Sequence, residues 1–201
     1  MKKYILLVFT CLLFSAETFA QDIKLPAPKT TGGMPLMEAL SNRQTARPRV
    51  FTGEIDKQTL SNLLWAANGF NRENNRTAPT AHDRQELEIY VVLASGSYWW
   101  DSRNNVLVQK VKEDIRALTG QQPFVATAPV NIIVVADTEK QPAQEFQFIS
   151  AGYVSQNMYL FCASEGLSTV VRANIDRAAL SQAMKLPANQ VIIIGQTIGQ
   201  K

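Results

Sequence analysis

Residues 130 to 136 read Val-Asn-Ile-Ile-Val-Val-Ala, a short and nearly continuous apolar run rich in β-branched residues. A strand of that kind shows no polar face to water, so it is expected to be buried on both sides. That one feature excludes an open, half-solvated sheet at this point. It demands a layer of structure above the strand and another below. The sequence offers helices for the purpose. Asp56 is placed to cap a helix carrying Leu60, Leu63, Leu64 and Ala67, closed by Gly69. Residues 143–165 form the longest helical stretch. Phe146, Ile149, Tyr153, Met158 and Leu160 make it apolar on more than one side, as in a central helix or a subunit interface. Asp176 opens a further helix with Ala179, Leu180 and Met184.

Further strands are expected at Leu87 to Leu93, at Leu167 to Arg172 and at Val191 to Ile194. Residues 97–101 and 106–108 flank the polar turn 102–105 and predict a hairpin. Val111, Ile115 and Leu118 predict a helix ending at Gly120. A short helix at about 34–42 carries Leu36, Met37 and Leu40 on one face. Strands and helices thus mix along the chain, with few tight hairpins, which points to an α+β or α/β domain in three layers.

The ends of the chain carry separate information. Met1-Lys2-Lys3 is a basic start, and the apolar run Tyr4 to Ser15 is too short to span a bilayer. Small residues at Thr18 and Ala20 complete a signal-peptide pattern, which sets residues 1–20 apart from the fold and predicts an exported, periplasmic protein with no membrane span after the signal is removed. Residues 21–33 are rich in Pro, Gly and Thr and read as an extended arm, leaving 34–201 as the folded domain. Of 201 residues 46% are hydrophobic, enough for one sizeable core. The net charge of +3 is spread along the chain and argues against a nucleic-acid partner. His82 is the sole histidine, and Cys162 is the only cysteine beyond the leader, in an apolar helical stretch. Neither a metal constellation nor a hydrolytic triad can be assembled from these residues.

Two segments bear on chemistry. In Arg43-Gln44-Thr45-Ala46-Arg47, alternate residues of an extended backbone point the same way. Two guanidinium groups and a hydroxyl on one side make a phosphate clamp, because the planar guanidinium fork matches phosphate oxygens. An ordinary solvated basic loop reads the same way. The polar loop Arg76 to Asp83 runs into the strand at Leu87, a common place for ligand contacts and equally for a plain connector.

Taken in order, these segments resemble the nitroreductase family. Its members open with a short helix, an Arg-x-Ser/Thr-x-Arg/Lys segment and an aromatic residue, matched here by Arg43 to Arg47 and Phe51. A Pro-Ser-Ser/Ala loop before the first long strand is matched by Pro79-Thr80-Ala81. The wording from Arg76 to Ala81 and Leu87 to Tyr90 is most similar to the branch of thiazole/oxazole-forming dehydrogenases. Ala128-Pro129-Val130, the long helix ending at Glu165-Gly166-Leu167 and the Ile-rich closing strand complete the resemblance over about residues 34–199.

The resemblance implies an α+β fold with a mixed sheet flanked by helices, two subunits intertwined along the long helix, and FMN in the interface. Arg43, Gln44, Thr45 and Arg47 would hold the phosphate and ribityl chain. Pro79, Thr80 and Ala81 would line the flavin from the other subunit, with Gln121 or Gln122 against the ring. Val171, Arg172, Ala173 and Asn174 would bring backbone amides to it, and Lys201 would reach the phosphate. The implied activity is FMN-dependent electron transfer from a donor such as NAD(P)H to a small nitro or quinone acceptor, with no catalytic side chain and no metal. His82-Asp83, Gln196-Thr197 and the early end at Lys201 depart from the family pattern, and leave open a flavin-free binding protein on the same fold.

Overall fold

The computed structural model describes residues 21–47 and 49–201. The expected signal peptide and Pro48 lie outside the described residues. In chain order the elements are β1 (Ile23–Lys24), α1 (Leu36–Asn42), α2 (Lys57–Asn68), β2 (Leu87–Leu93), β3 (Gly96–Asp101), β4 (Val106–Val111), β5 (Val130–Asp137), α3 (Gln144–Ser164), β6 (Ser168–Arg172), α4 (Arg177–Met184) and β7 (Gln190–Gly199).

The strands form a seven-stranded sheet in the order β1-β4-β3-β2-β5-β7-β6. Every neighbouring pair is antiparallel, so the sheet that the resemblance describes as mixed has no parallel pair among the described residues. β5 sits inside it, between β2 and β7. Ile132, Ile133, Val134 and Val135 are all fully buried, as a strand covered on both faces must be. Alternation divides them between two cores. Ile132 and Val134 pack with Leu63, Leu64, Val154 and Met158 of α2 and α3. Ile133 and Val135 pack with Leu180 and Met184 of α4.

The helices begin and end where their chemistry allows. Asp56 caps α2 by accepting from the amides of Gln58 at 2.8 Å and Thr59 at 2.9 Å. The Thr59 amide bond, together with the Thr59 hydroxyl, holds the Asp56 carboxyl below the usual carboxylate range. On α3, Ala151, Val154, Met158 and Cys162 recur at helical spacing and enter the larger core. Burial pushes the Cys162 thiol up to about 12, which leaves it unreactive at neutral pH.

Three expectations change. The residues from Val111 to Gly120 do not make a helix. Val111 ends β4, and the stretch up to Gly120 has room only for a 3-10 turn at Arg116–Thr119. β7 runs on to Gly199, well past the Ile-rich run, because it pairs with both β5 and β6. The extended arm is part of the sheet: Ile23 pairs with Leu107, and Leu25 is buried in the larger core. No helix among the described residues is long and apolar enough to cross a membrane.

Candidate functional site

The segment after α1 lies against the open edge of the sheet. Arg43 leaves the helix in an extended conformation. The Ala46 amide donates to the Thr169 carbonyl of β6 at 3.0 Å, which pins the segment to that edge. Thr45 Oγ1 lies 3.2 Å from the hydroxyl of Tyr159, on α3. The same tyrosine oxygen accepts from the Val171 amide at 3.1 Å. One buried phenol therefore joins the basic segment, the long helix and the edge strand. The Arg43 guanidinium rests 5.4 Å from the centre of the Tyr159 ring, a cation–π contact.

Gln44, Arg47 and Lys201 line a cavity of about 580 Å³ beside this junction. Lys201 arrives there because β7 ends at Gly199. A Cβ at Gly199 would lie 2.9 Å from Phe51 Cα, so only glycine lets the strand pass, and the Gln200 amide then donates to Thr52 O at 2.9 Å. Phe51 is itself a packing residue, 5.0 Å ring to ring from Phe124. The lining holds the side chains of Arg47 and Lys201 and no Asp or Glu. This donor set suits a phosphate: two exposed cations, a carboxamide and hydroxyls.

A second group gathers at the other end of β6. Asn174 accepts from the Gln121 amide at 3.3 Å, and Gln122 lines a smaller cavity of about 380 Å³ with Gly120 and Gln121. The side-chain oxygen of Gln122 is buried without a donor. Arg172, implied by resemblance as a backbone contact, turns its side chain into the protein. Its Nε donates to Thr197 Oγ1 at 3.0 Å and a terminal nitrogen to Asn131 Oδ1 at 3.1 Å; the other reaches the Thr119 carbonyl.

Pro79, Thr80 and Ala81 stand apart from both cavities. Thr80 Oγ1 accepts from the Gln85 amide at 2.9 Å, closing a loop in which His82 and Asp83 take left-handed backbone angles. Arg84 ties that loop to the Lys140 carbonyl, just before α3 begins. The cavity beside the basic strap, Arg43 to Arg47, is lined also by Cys162, Ala163 and Ser164, at the end of α3, and the loop residues Pro79 to Ala81 do not line it.

Tyr159, Asn131, Thr119 and Thr197 were not among the residues expected to build this region. Tyr159 sits in a helix whose apolar residues surround it on all sides, so periodicity gave it no distinction. The apolar face of α1 also differs from expectation. Leu36, Met37 and Leu40 are 63%, 76% and 44% exposed, and only Ala39 of that helix is buried. On α3, Phe148, Ile149 and Tyr153 are about half exposed in the same way. No group of His, Cys, Asp and Glu among the described residues could hold a metal ion.

Comparison with known proteins accords with this arrangement. The model of the nitroreductase family matches residues 40–200. A Methanocaldococcus jannaschii protein that carries a provisional nitroreductase name is 30% identical over 152 residues, covering 67% of this chain and 76% of its own. A structure from Ralstonia eutropha, also provisionally named a nitroreductase, superposes with a TM-score of 0.83 at 38% identity over 89% of each chain. Another, from Desulfovibrio desulfuricans and solved in complex with FMN, has the same fold at a TM-score of 0.63 and 22% identity, covering 84% of this chain and 87% of that one. The matched range takes in the basic strap, the long helix and the closing strand, and this chain belongs to the nitroreductase family.

Proposed function

We propose that this chain is an FMN-dependent oxidoreductase that works as a homodimer, with the flavin held between two copies. The observation that carries the reading is the strap cavity. Arg47 and Lys201 line it with no Asp or Glu among the lining residues, and Arg43 stands beside it on Tyr159. Arg43, Thr45, Arg47 and Lys201 would bind the phosphate and ribityl end, and Gln44 offers a carboxamide to the chain. Val171, Arg172 and Asn174 would present backbone to the ring system, with the orphaned Gln122 oxygen as an acceptor for a ring N–H. When bound, FMN supplies the two-electron chemistry, passing reducing equivalents from a donor to a small organic acceptor of nitro or quinone type, while the protein supplies binding, orientation and electrostatics.

The uncovered apolar faces of α1 and α3, and a loop that does not line the strap cavity, support the dimer. An isologous pair in which the two α3 helices run antiparallel would place one copy's Pro79–Ala81 loop at the other's strap. It would also cover Leu36, Met37, Phe148, Ile149 and Tyr153, apolar side chains that stand exposed on α1 and α3. The leader pattern at residues 1–20 favours export to the periplasm. A nicotinamide donor is largely confined to the cytosol, so the reading there includes a different reductant.

Absorbance of the purified protein tests this. A preparation that shows flavin bands, or takes up added FMN in proportion to chain, is the expected result. A colourless preparation that fails to take up FMN would contradict it and favour a flavin-free relative.

A further inference from the structure

Arg172 is a cation sealed inside the sheet with no anion beside it. It is 4% exposed. Its three hydrogen-bond partners, Thr197 Oγ1, Asn131 Oδ1 and the Thr119 carbonyl, are all neutral. The ion pairs among the described residues are Arg116–Asp114 and Lys140–Glu88, and neither involves it. Burial alone pulls its pKa down to about 10, and no carboxylate offsets that pull. Glu86 is also buried, but its backbone carbonyl accepts from Asp137, six residues along β5 from Asn131 and about 20 Å away at the rise of a strand. It is not the missing counter-charge.

Proteins rarely leave a buried cation uncompensated, because desolvation of the charge is costly. Here the surroundings are shaped to keep it. A Cβ on Gly120 would lie 2.2 Å from one guanidinium nitrogen and 2.9 Å from Gln122 Oε1, so a side chain there would push one of these two groups aside. Thr197 supports the arrangement by donating to Asn131 Oδ1 at 2.7 Å, and Asn131 is held in turn through its Nδ2 to the Val125 carbonyl at 2.9 Å. The charge is also well placed. Its own residue follows Val171, whose amide meets the Tyr159–Thr45 junction, and precedes Ala173 and Asn174, which lie against Gln121.

We propose that Arg172 is an electrostatic device of the flavin site: its uncompensated charge behind the end of β6 favours the redox state of FMN that carries more negative charge. The proposal rests on the FMN reading above. Two-electron reduction of FMN with uptake of one proton adds one negative charge to the ring, and uptake of a second proton cancels it. A fixed cation nearby makes the singly protonated product easier to form and raises the midpoint potential. The Arg172 side chain touches no ligand in this scheme. It acts through the field it projects past the backbone of residues 171–174.

The test is the midpoint potential of the FMN-loaded full-length protein, together with the dissociation constant for oxidised FMN. Arg172→Met removes the charge, and Asn131→Asp keeps the guanidinium and sets a carboxylate against it, giving up the bond to the Val125 carbonyl. Both are expected to weaken binding of reduced FMN about tenfold relative to that of oxidised FMN, a shift of about −30 mV for a two-electron couple. Arg172→Lys is expected to recover most of the shift. A purely packing role would not make Asn131→Asp mimic Arg172→Met in potential. If wild type binds FMN and the Asn131→Asp protein has an unchanged potential, the proposal fails while the FMN reading stands; that variant serves even where Arg172→Met does not fold. If wild type takes up no FMN, both fail together.

Discussion

The molecule keeps its cations in two contrasting settings. Arg47 and Lys201 stand exposed at the rim of an open cavity, at the end of α3. Arg172 lies within the sheet, fixed by neutral oxygens on three sides. Exposed cations cost little to hold and are free to move onto a ligand, so they contribute little to the unliganded fold. A buried one makes the fold depend on every acceptor around it. The difference teaches that a residue's share in binding and its share in stability are separable here, although both groups serve one strand edge.

The largest expected effect breaks the comparison on the exposed side. Replacing Arg43 and Arg47 together with Ala removes the two charge-assisted contacts proposed for the phosphate, together worth about 3–5 kcal/mol. FMN affinity measured by fluorescence titration is expected to fall at least a hundredfold, while the urea midpoint stays where it was. An unchanged affinity would show that the strap is a solvated basic loop. A smaller effect, of the opposite kind, is expected on the buried side. Thr197→Val keeps the shape but removes the hydroxyl that accepts from Arg172 Nε, leaving a buried donor unpaired. Stability by urea denaturation is expected to fall by about 1–3 kcal/mol, the cost of an unsatisfied buried group. A variant as stable as wild type would mean that Arg172 finds another acceptor without strain.

How much of this was legible beforehand follows the same division. The central strands could be read because β-branched runs such as residues 130–136 have few alternatives to a doubly covered strand. The cap at Asp56 could be read because its carboxylate acts on amides two and three residues away. Residues 111–120 misled, since Val111, Ile115 and Leu118 mimic a helical face, yet Val111 is claimed by pairing with β3 across a bulge. That pairing is long-range and leaves no local trace. For the same reason the strap's chemistry was visible as a motif, whereas its anchor on Tyr159, 114 residues away, was not. Arg172 was expected only as a backbone contact, because nothing in Val-Val-Arg-Ala-Asn tells which way a strand residue faces. The outward turn of Leu36, Met37 and Leu40 inverts the usual rule, and the proposed dimer would cover them.

The central claim is that one ligand site is built from two chains, a strap from one and a loop from the other. Co-expression of two defective chains tests it most directly. One carries Arg43→Ala with Arg47→Ala; the other carries Ala81→Trp, which fills the flavin side of the loop. Each alone is expected to bind no FMN. In a mixed two-fold dimer the intact strap of one chain meets the intact loop of the other, so random pairing should restore about a quarter of wild-type FMN per chain. Mixed dimers that bind no FMN, or a wild-type chain that binds FMN as a monomer, would contradict the account.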